Sequence, residues 1–338
     1  CIRDRTVIDH IEVIFNKDDG YEWFGGSVNT RYLVSAFNGD DNFDYDEGWR
    51  GKNQFWFAVQ GADDAGSGGE HDGGTNPEDG TPYAIPIMYN VTYIGSGSTS
   101  GLASNDFGVN FRDNAGGKYY NTIWTDFFGI AVTIEHLNTG GQDSYARLQG
   151  GDLELQNNMF WKFSGGTTPA DLFVAGVTTA TSPQIAAYVT DPLNQNRWDV
   201  DPALRGISRT TDGGLDPRLA EGSPALTGAA TPPDDGFFEH TDYIGAFKDD
   251  LWIRGWTFLS EGGFLKERGG VVRQVSDADV LGDVVWSADT TYVLNGFVFV
   301  DSLSTLTIES GTVIKAKPGT GASASALIVA RGGKIYAN

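Results

Sequence analysis

The residues best suited to chemistry are carboxylates, and they recur at a fixed interval. Asp18, Asp19 and Glu22 are followed by Asp40, Asp41, Asp44, Asp46 and Glu47. The flanking residues recur with them. Phe15-Asn16 and Asp18-Asp19 match Phe37-Asn38 and Asp40-Asp41 at an offset of 22, with Tyr21, Glu22 and Trp23 replaced conservatively by Phe43, Asp44 and Tyr45. If each repeat is one coil of a β-stack, coils lie about 4.8 Å apart, and acids of one coil sit over those of the next. Stacked carboxylates repel unless they are solvated or share a cation. Donor sets of oxygen alone suit Ca²⁺. The run Asp40–Glu47 does not follow the EF-hand pattern. His10, His71, His136 and His240, the only histidines, show no metal-ligand spacing. A solvated acidic turn and a calcium site both remain open.

Five basic groups are the weak candidates for catalysis. Arg50 and Lys52 follow the acidic run, Arg112 and Lys118 bracket Asp113-Asn114, and His71 lies between Glu70 and Asp72 in the Gly-rich stretch 61–82. A lyase would combine Ca²⁺ with an Arg or Lys base that removes the proton beside a uronate carboxylate. Salt bridges between coils are the plainer account of the same residues. His71 could act as a base or ligand, or be merely polar. Asp44 and Asp46 could form a glycosidase pair, though acids are abundant here. Trp23, Tyr45 and Trp49, beside Gly and Asp, are candidates for stacking on sugar rings. Inward-facing aromatics in a wide core are the alternative. No phosphate loop, Ser-His-Asp order or nucleotide fingerprint is present.

The elements that would position these groups are short alternating strands. Ile11, Val13 and Phe15 alternate, and Gly, Asn and Asp between strands permit tight turns. One coil cannot bury its apolar side alone, whereas stacked coils can. Asn16 and Asn38, with Gln60 one step on, read as an internal amide ladder. Asn90, Asn121 and Asn158 begin three similar strands. Leu306-Thr307-Ile308 matches Leu327-Ile328-Val329 at an offset of 21. Ser182-Pro183 predicts a short helix through Thr190. Residues 164–235 read as loop-rich coils, and 266–290, opening on Lys266–Gly270, as a linker before β-patterning restarts at Tyr292.

Composition bounds the reading. The 338 residues carry 23 Lys+Arg against 45 Asp+Glu, a net charge of −22. That excludes a basic nucleic-acid surface and an anionic membrane surface. No apolar run is long enough to insert in a membrane. The 46 glycines lack a Gly-X-Y period, which points to turn-dense β structure. Cys1 is the single cysteine, so no internal disulfide forms; it could also be a lipidation site or not native. A Cys-poor acidic chain suits an extracellular or bacterial cell-surface setting.

Longer motifs carry a resemblance. Lys17–Gly26, Asp40–Lys52, Phe111–Lys118, Asp143–Leu148, and Asp216-Pro217-Arg218 with Gly222–Leu226 resemble large secreted right-handed β-helix proteins of marine and gliding bacteria. The likeness covers most of residues 6–265 and brings no catalytic residues with it. Tyr292–Asn338 resembles the opening coils of such a protein. The expected fold is all-β, a right-handed parallel β-helix with inserted loops and at most one or two short helices. The expected layout is coils and a closing segment over 1–265, a linker over 266–290, and opening coils of a second or continuing β-helix over 291–338, as in a fragment of a tandem array. The expected role is structural or adhesive, binding extracellular polysaccharide and Ca²⁺ and no organic cofactor. A polysaccharide lyase or glycosidase on the same coils, and a subunit that self-associates head to tail, are the alternatives.

Overall fold

A computed structural model describes residues 6–138, 142–265, 271–288, 290–309 and 311–337. Cys1–Arg5 and the polar run Lys266–Gly270 lie outside the described residues. The chain forms two compact units, one of residues 1–253 with 257–264, the other of 254–256 with 265–338.

In the first unit, strands from successive repeats pair in parallel. Tyr21–Phe24, Phe43–Asp46, Glu70–Asp72, Phe107–Arg112, Ile130–His136 and Phe173–Val177 form one six-stranded sheet in chain order. A ten-stranded parallel sheet is built around Lys52–Val59, which pairs with Asn29–Ala36 on one side and with both Ile87–Tyr89 and Thr92–Ile94 on the other. The 22-residue repeat is a structural register: Ile11 pairs with Leu33, and Tyr21 with Phe43. The next step is 23, with Leu33 on Trp56. Inserted loops then lengthen it.

Sharp bends between strands are made by residues in the left-handed region. His10, Tyr32, Phe55, Asn90, Asn121 and Asn157 occupy equivalent places in successive coils, with φ between 52° and 58°. Asn tolerates this conformation better than most residues. These asparagines form a ladder of their own, and its third member corrects the alignment of the three similar strands: it is Asn157 and not Asn158, because Tyr120 pairs with Gln156. A return segment, residues 228–243, crosses this ladder. Asn157 donates to Gly228 O at 2.9 Å, Asn121 to Ala230 O at 2.8 Å and Asn90 to Tyr243 O at 2.9 Å. Glu12, in the earliest described strand, accepts from the Phe258 and Leu259 amides at 2.5 and 3.2 Å.

Inward side chains stack as the coils do. Trp23 lies on Trp49 at 4.4 Å, Phe43 on Trp56 at 4.3 Å, and Trp124 on Phe160 at 4.9 Å. The expected amide ladder is corrected: the Asn16 backbone N–H donates to Asn38 Oδ1 while its side chain donates to Asp19 O, and Ala36 on Val59 sets Gln60 one residue out of line with Asn38, where it accepts from Asn105 at 2.6 Å. Asn38 and Gln60 are fully buried, whereas Asn16 is exposed.

Four short α-helical segments occur among the described residues, against the one or two expected: Ser144–Gly150, Pro169–Leu172, Ser182–Thr190 and Phe258–Glu261. Asp143 and Thr257 cap two of them through their side chains. The helix at Ser182–Thr190 starts with its proline in the first turn, as predicted, and buries Ile185, Ala186 and Val189.

The second unit also consists of parallel pairs. Val272–Val275 pairs with Thr291–Leu294, and Asp283–Trp286 with Thr305–Ile308. These strands correct the linker reading of 266–290: β-structure begins about twenty residues before Tyr292. The signal is weak because three of four side chains in Val272–Val275 are exposed, and only Val275 and Trp286 are fully inward in the two strands. The 21-residue match is also corrected. Leu306 pairs with Ile335, and Leu327 with Val298. The two similar segments are different strands of their coils.

Candidate metal and ligand face

The six-stranded sheet turns alternate residues outward. Phe43, Tyr45, Phe111 and Ile134 are buried in the core, so their neighbours form two outer rows. Register places Glu22, Asp44, Glu70, Asn110 and Thr133 in one row, and Asp46, Asp72, Arg112 and Glu135 in the other. Two groups of three carboxylates bring an oxygen from each residue within 4.8 Å of the others: Asp18, Asp19 and Asp40, and Asp19, Glu22 and Asp44. Ligand oxygens around one Ca²⁺ at about 2.4 Å lie within roughly 5 Å of one another, so this spacing fits.

The cost of the arrangement falls on its carboxyls, which crowding and burial hold above their ordinary values. Burial, then the charges of Asp40, Glu22 and Asp18, pushes Asp19 up to about 7, against the lowering effect of the Asp41 amide. Burial, then Glu70 and Asp40, pushes Asp41 up to about 8. Burial, then Asp19, Asp72, Asp41 and Glu70, pushes Asp44 up to about 9. Glu22 and Asp40 are raised for the same reasons. Asp44 Oδ1 is buried without a hydrogen-bond partner.

Asp41 is nearly buried and accepts from the Ser67 amide. Asp46 accepts from the Glu47 amide at 2.6 Å and from the Thr75 hydroxyl. Neither Asp46 nor Glu47 belongs to the close groups.

The basic candidates all have partners or are buried. Arg112 bridges Asp72 at 2.8 Å and Glu70 at 2.7 Å. Lys118 pairs with Glu154 at 2.6 Å and Lys52 with Asp235 at 2.5 Å. Arg50 donates to Tyr83 O at 2.9 Å. His71 is not in a flexible loop: it sits in the strand Glu70–Asp72, fully buried, stacked on Tyr45 at 3.9 Å and bonded to Tyr119 Oη at 2.6 Å. Burial holds it down at about 3, hence neutral. Tyr45 and Trp49 are fully buried and Trp23 is half-buried against Trp49 and Trp56. These three are core aromatics, which corrects their reading as a sugar platform.

Sequence reading missed Asn110 and Glu135 and did not connect Glu70 and Asp72 to the acidic runs. The Gly-rich insertion stretches the repeat to 26 residues between Tyr45 and His71, which hides the register.

Parallel coils, laddered acids and stacked inward rings are what a β-helix presents. The pectate-lyase-like β-helix domain matches residues 2–195 and 278–338. The chain belongs to that family. The match reaches into both units of this β-helix protein and omits residues 196–277. No curated protein and no solved structure matches the chain.

Proposed function

We propose that this protein is a secreted or cell-surface scaffold, a right-handed parallel β-helix whose acidic face binds divalent cations, Ca²⁺ foremost, and extracellular glycan. The observation that carries the reading is the pair of carboxylate groups around Asp19, with Asp44 Oδ1 buried and unpaired. Oxygen-only donors of high charge density favour Ca²⁺ over softer metals. A bound cation would neutralise the repulsion that raises Asp19, Asp41 and Asp44. Its role is structural and adhesive: Arg50, Lys52 and Lys118 are bonded away from the Asp19 groups, His71 is buried, and Arg112 is held by Glu70 and Asp72 within the acidic rows. Fold alone does not separate scaffold from enzyme.

The second reading, a polysaccharide lyase, is favoured by the family's description. It would need Arg112 to leave Asp72 and Glu70. Calorimetric titration with Ca²⁺ tests the first reading. Saturable binding that is lost in Asp19→Asn and Asp44→Asn supports it, and its absence overturns it. Anionic polysaccharides with Ca²⁺ test the second: release of unsaturated product that stops in Arg112→Gln would replace the scaffold by an enzyme. Head-to-tail self-association is a further proposal, checked by concentration-dependent sedimentation.

A further inference from the structure

A polar cavity lies beside Glu135 of the outer row, one step before Gly176. It has a volume of about 520 Å³ and is lined by Glu78, Asp79, Asp113, Asn114, Glu135 and Gln142 among others. That volume is within the roughly 300–1,000 Å³ of small-molecule sites. Glu135 Oε2 accepts the Asp113 amide at 3.0 Å, which fixes the two acids beside each other. Burial and the charges of neighbouring acids raise both. Of the nearby cations, Arg112 is spent on Asp72 and Glu70, and Arg147 donates to Gln142 Oε1 at 3.1 Å.

Asn114 is an independent observation. It is 1 % exposed, and neither its side-chain oxygen nor its nitrogen has a hydrogen-bond partner. A buried amide left unsatisfied is destabilising, so it is suited to a ligand offering both donor and acceptor. The cavity does not suit a bare metal ion. Among the described residues, the groups of three acids within 4.8 Å lie elsewhere. Room, negative charge and a bifunctional amide together fit a polyhydroxylated ligand carrying an amine.

We propose that this cavity binds an amino-sugar ring of a glycan, its ammonium among Glu78, Asp113 and Glu135 and its hydroxyls at Asn114. The proposal rests on the glycan-binding reading and names a ligand class for it. The test is calorimetric titration of the full chain in EGTA with glucosamine oligomers, their N-acetylated counterparts, galacturonate oligomers and oligolysine. Glucosamine oligomers should bind saturably, and at least tenfold more tightly than the N-acetylated or acidic sugars. Glu78→Gln with Glu135→Gln should weaken them at least tenfold. A charge-matched control, Glu221→Gln with Asp234→Asn, should not.

Absence of binding overturns the proposal, as does equal affinity for the N-acetylated sugars. Equal affinity for oligolysine, or equal loss in the control variant, overturns it in favour of non-specific attraction to a protein of charge −22. Because the titration excludes Ca²⁺, its failure is distinct from failure of the cation reading; binding of galacturonate oligomers without glucosamine oligomers would overturn this proposal and leave the glycan reading standing.

Discussion

Asp44 carries the most informative single charge. Its carboxyl is pushed up to about 9 by burial and four neighbouring acids, and one oxygen has no partner. Replacing it by Asn removes the repulsion and keeps the shape. In EGTA at pH 9, where the carboxyl is charged, the variant should melt a few degrees higher than the wild type, since about 1 kcal/mol corresponds to a few degrees in a domain of this size. With Ca²⁺ the order should reverse; scanning calorimetry in both buffers checks it. His71 makes the opposite case. Its neighbours make it a structural ring, so His71→Ala should cost about 2–4 kcal/mol in urea unfolding, as large core truncations do. Retained stability would mean that the ring is not part of the packed core. The flanking Glu70 and Asp72 make His71 resemble a catalytic group in sequence. Alternation along a three-residue strand sends the acids out and the ring in, and that strand is too short for its period to be read.

At the scale of elements, the Asn ladder links the coils to the return segment. Asn121 donates to Ala230 O at 2.8 Å and accepts the Ala230 amide at 2.7 Å, from a left-handed φ of 55°. Asn121→Ala loses both bonds and a backbone preference, and should cost about 2 kcal/mol or more. Asn121→Gly keeps the backbone preference and should recover part of that loss in the same urea titration. Gly117 tests the core: at φ 141° an added Cβ would meet the Tyr45 hydroxyl, which bonds Gly116 O at 2.6 Å. Gly117→Ala should therefore lower Tm by several degrees, whereas Gly150→Ala, facing open space, should be near neutral.

These elements are legible in the sequence where type and spacing agree. The repeat of 22 is enough to set Glu22 on Asp44 and Trp23 on Tyr45, and the strands pair in that register. It fails where loops change the spacing by a single residue, as at Asn157, or where two strands of one coil have similar sequences, as at Leu306 and Leu327. The second unit's early strands escape sequence reading because most of their side chains face out. The ends of the acidic face, Glu135 above all, are out of its reach because pairing across insertions is decided by the coils and not by sequence distance.

For the whole molecule, the acidic face predicts an unusual pH dependence. Carboxyls held above their ordinary value stabilise the fold most when protonated, and that contribution is lost as pH rises through about 7 for Asp19, 8 for Asp41 and 9 for Asp44. Asp126 behaves oppositely. Burial alone would raise it, but Lys162, the Ser98 amide and Arg209 outweigh burial and hold it low, so its contribution is lost only as pH falls well below 6. Between pH 6 and 9 the first group governs.

The most direct measurement is thermal unfolding of the full chain at pH 6 and pH 9, each in Ca²⁺ and in EGTA. In EGTA, Tm should fall on going from pH 6 to pH 9. Ca²⁺ should restore several degrees at pH 9 and less at pH 6, because a ligand of the folded state stabilises it in proportion to its binding and protonated carboxyls bind cations weakly. An identical Tm with and without Ca²⁺ at pH 9 would contradict the account and return the carboxylate ladder to a solvated face.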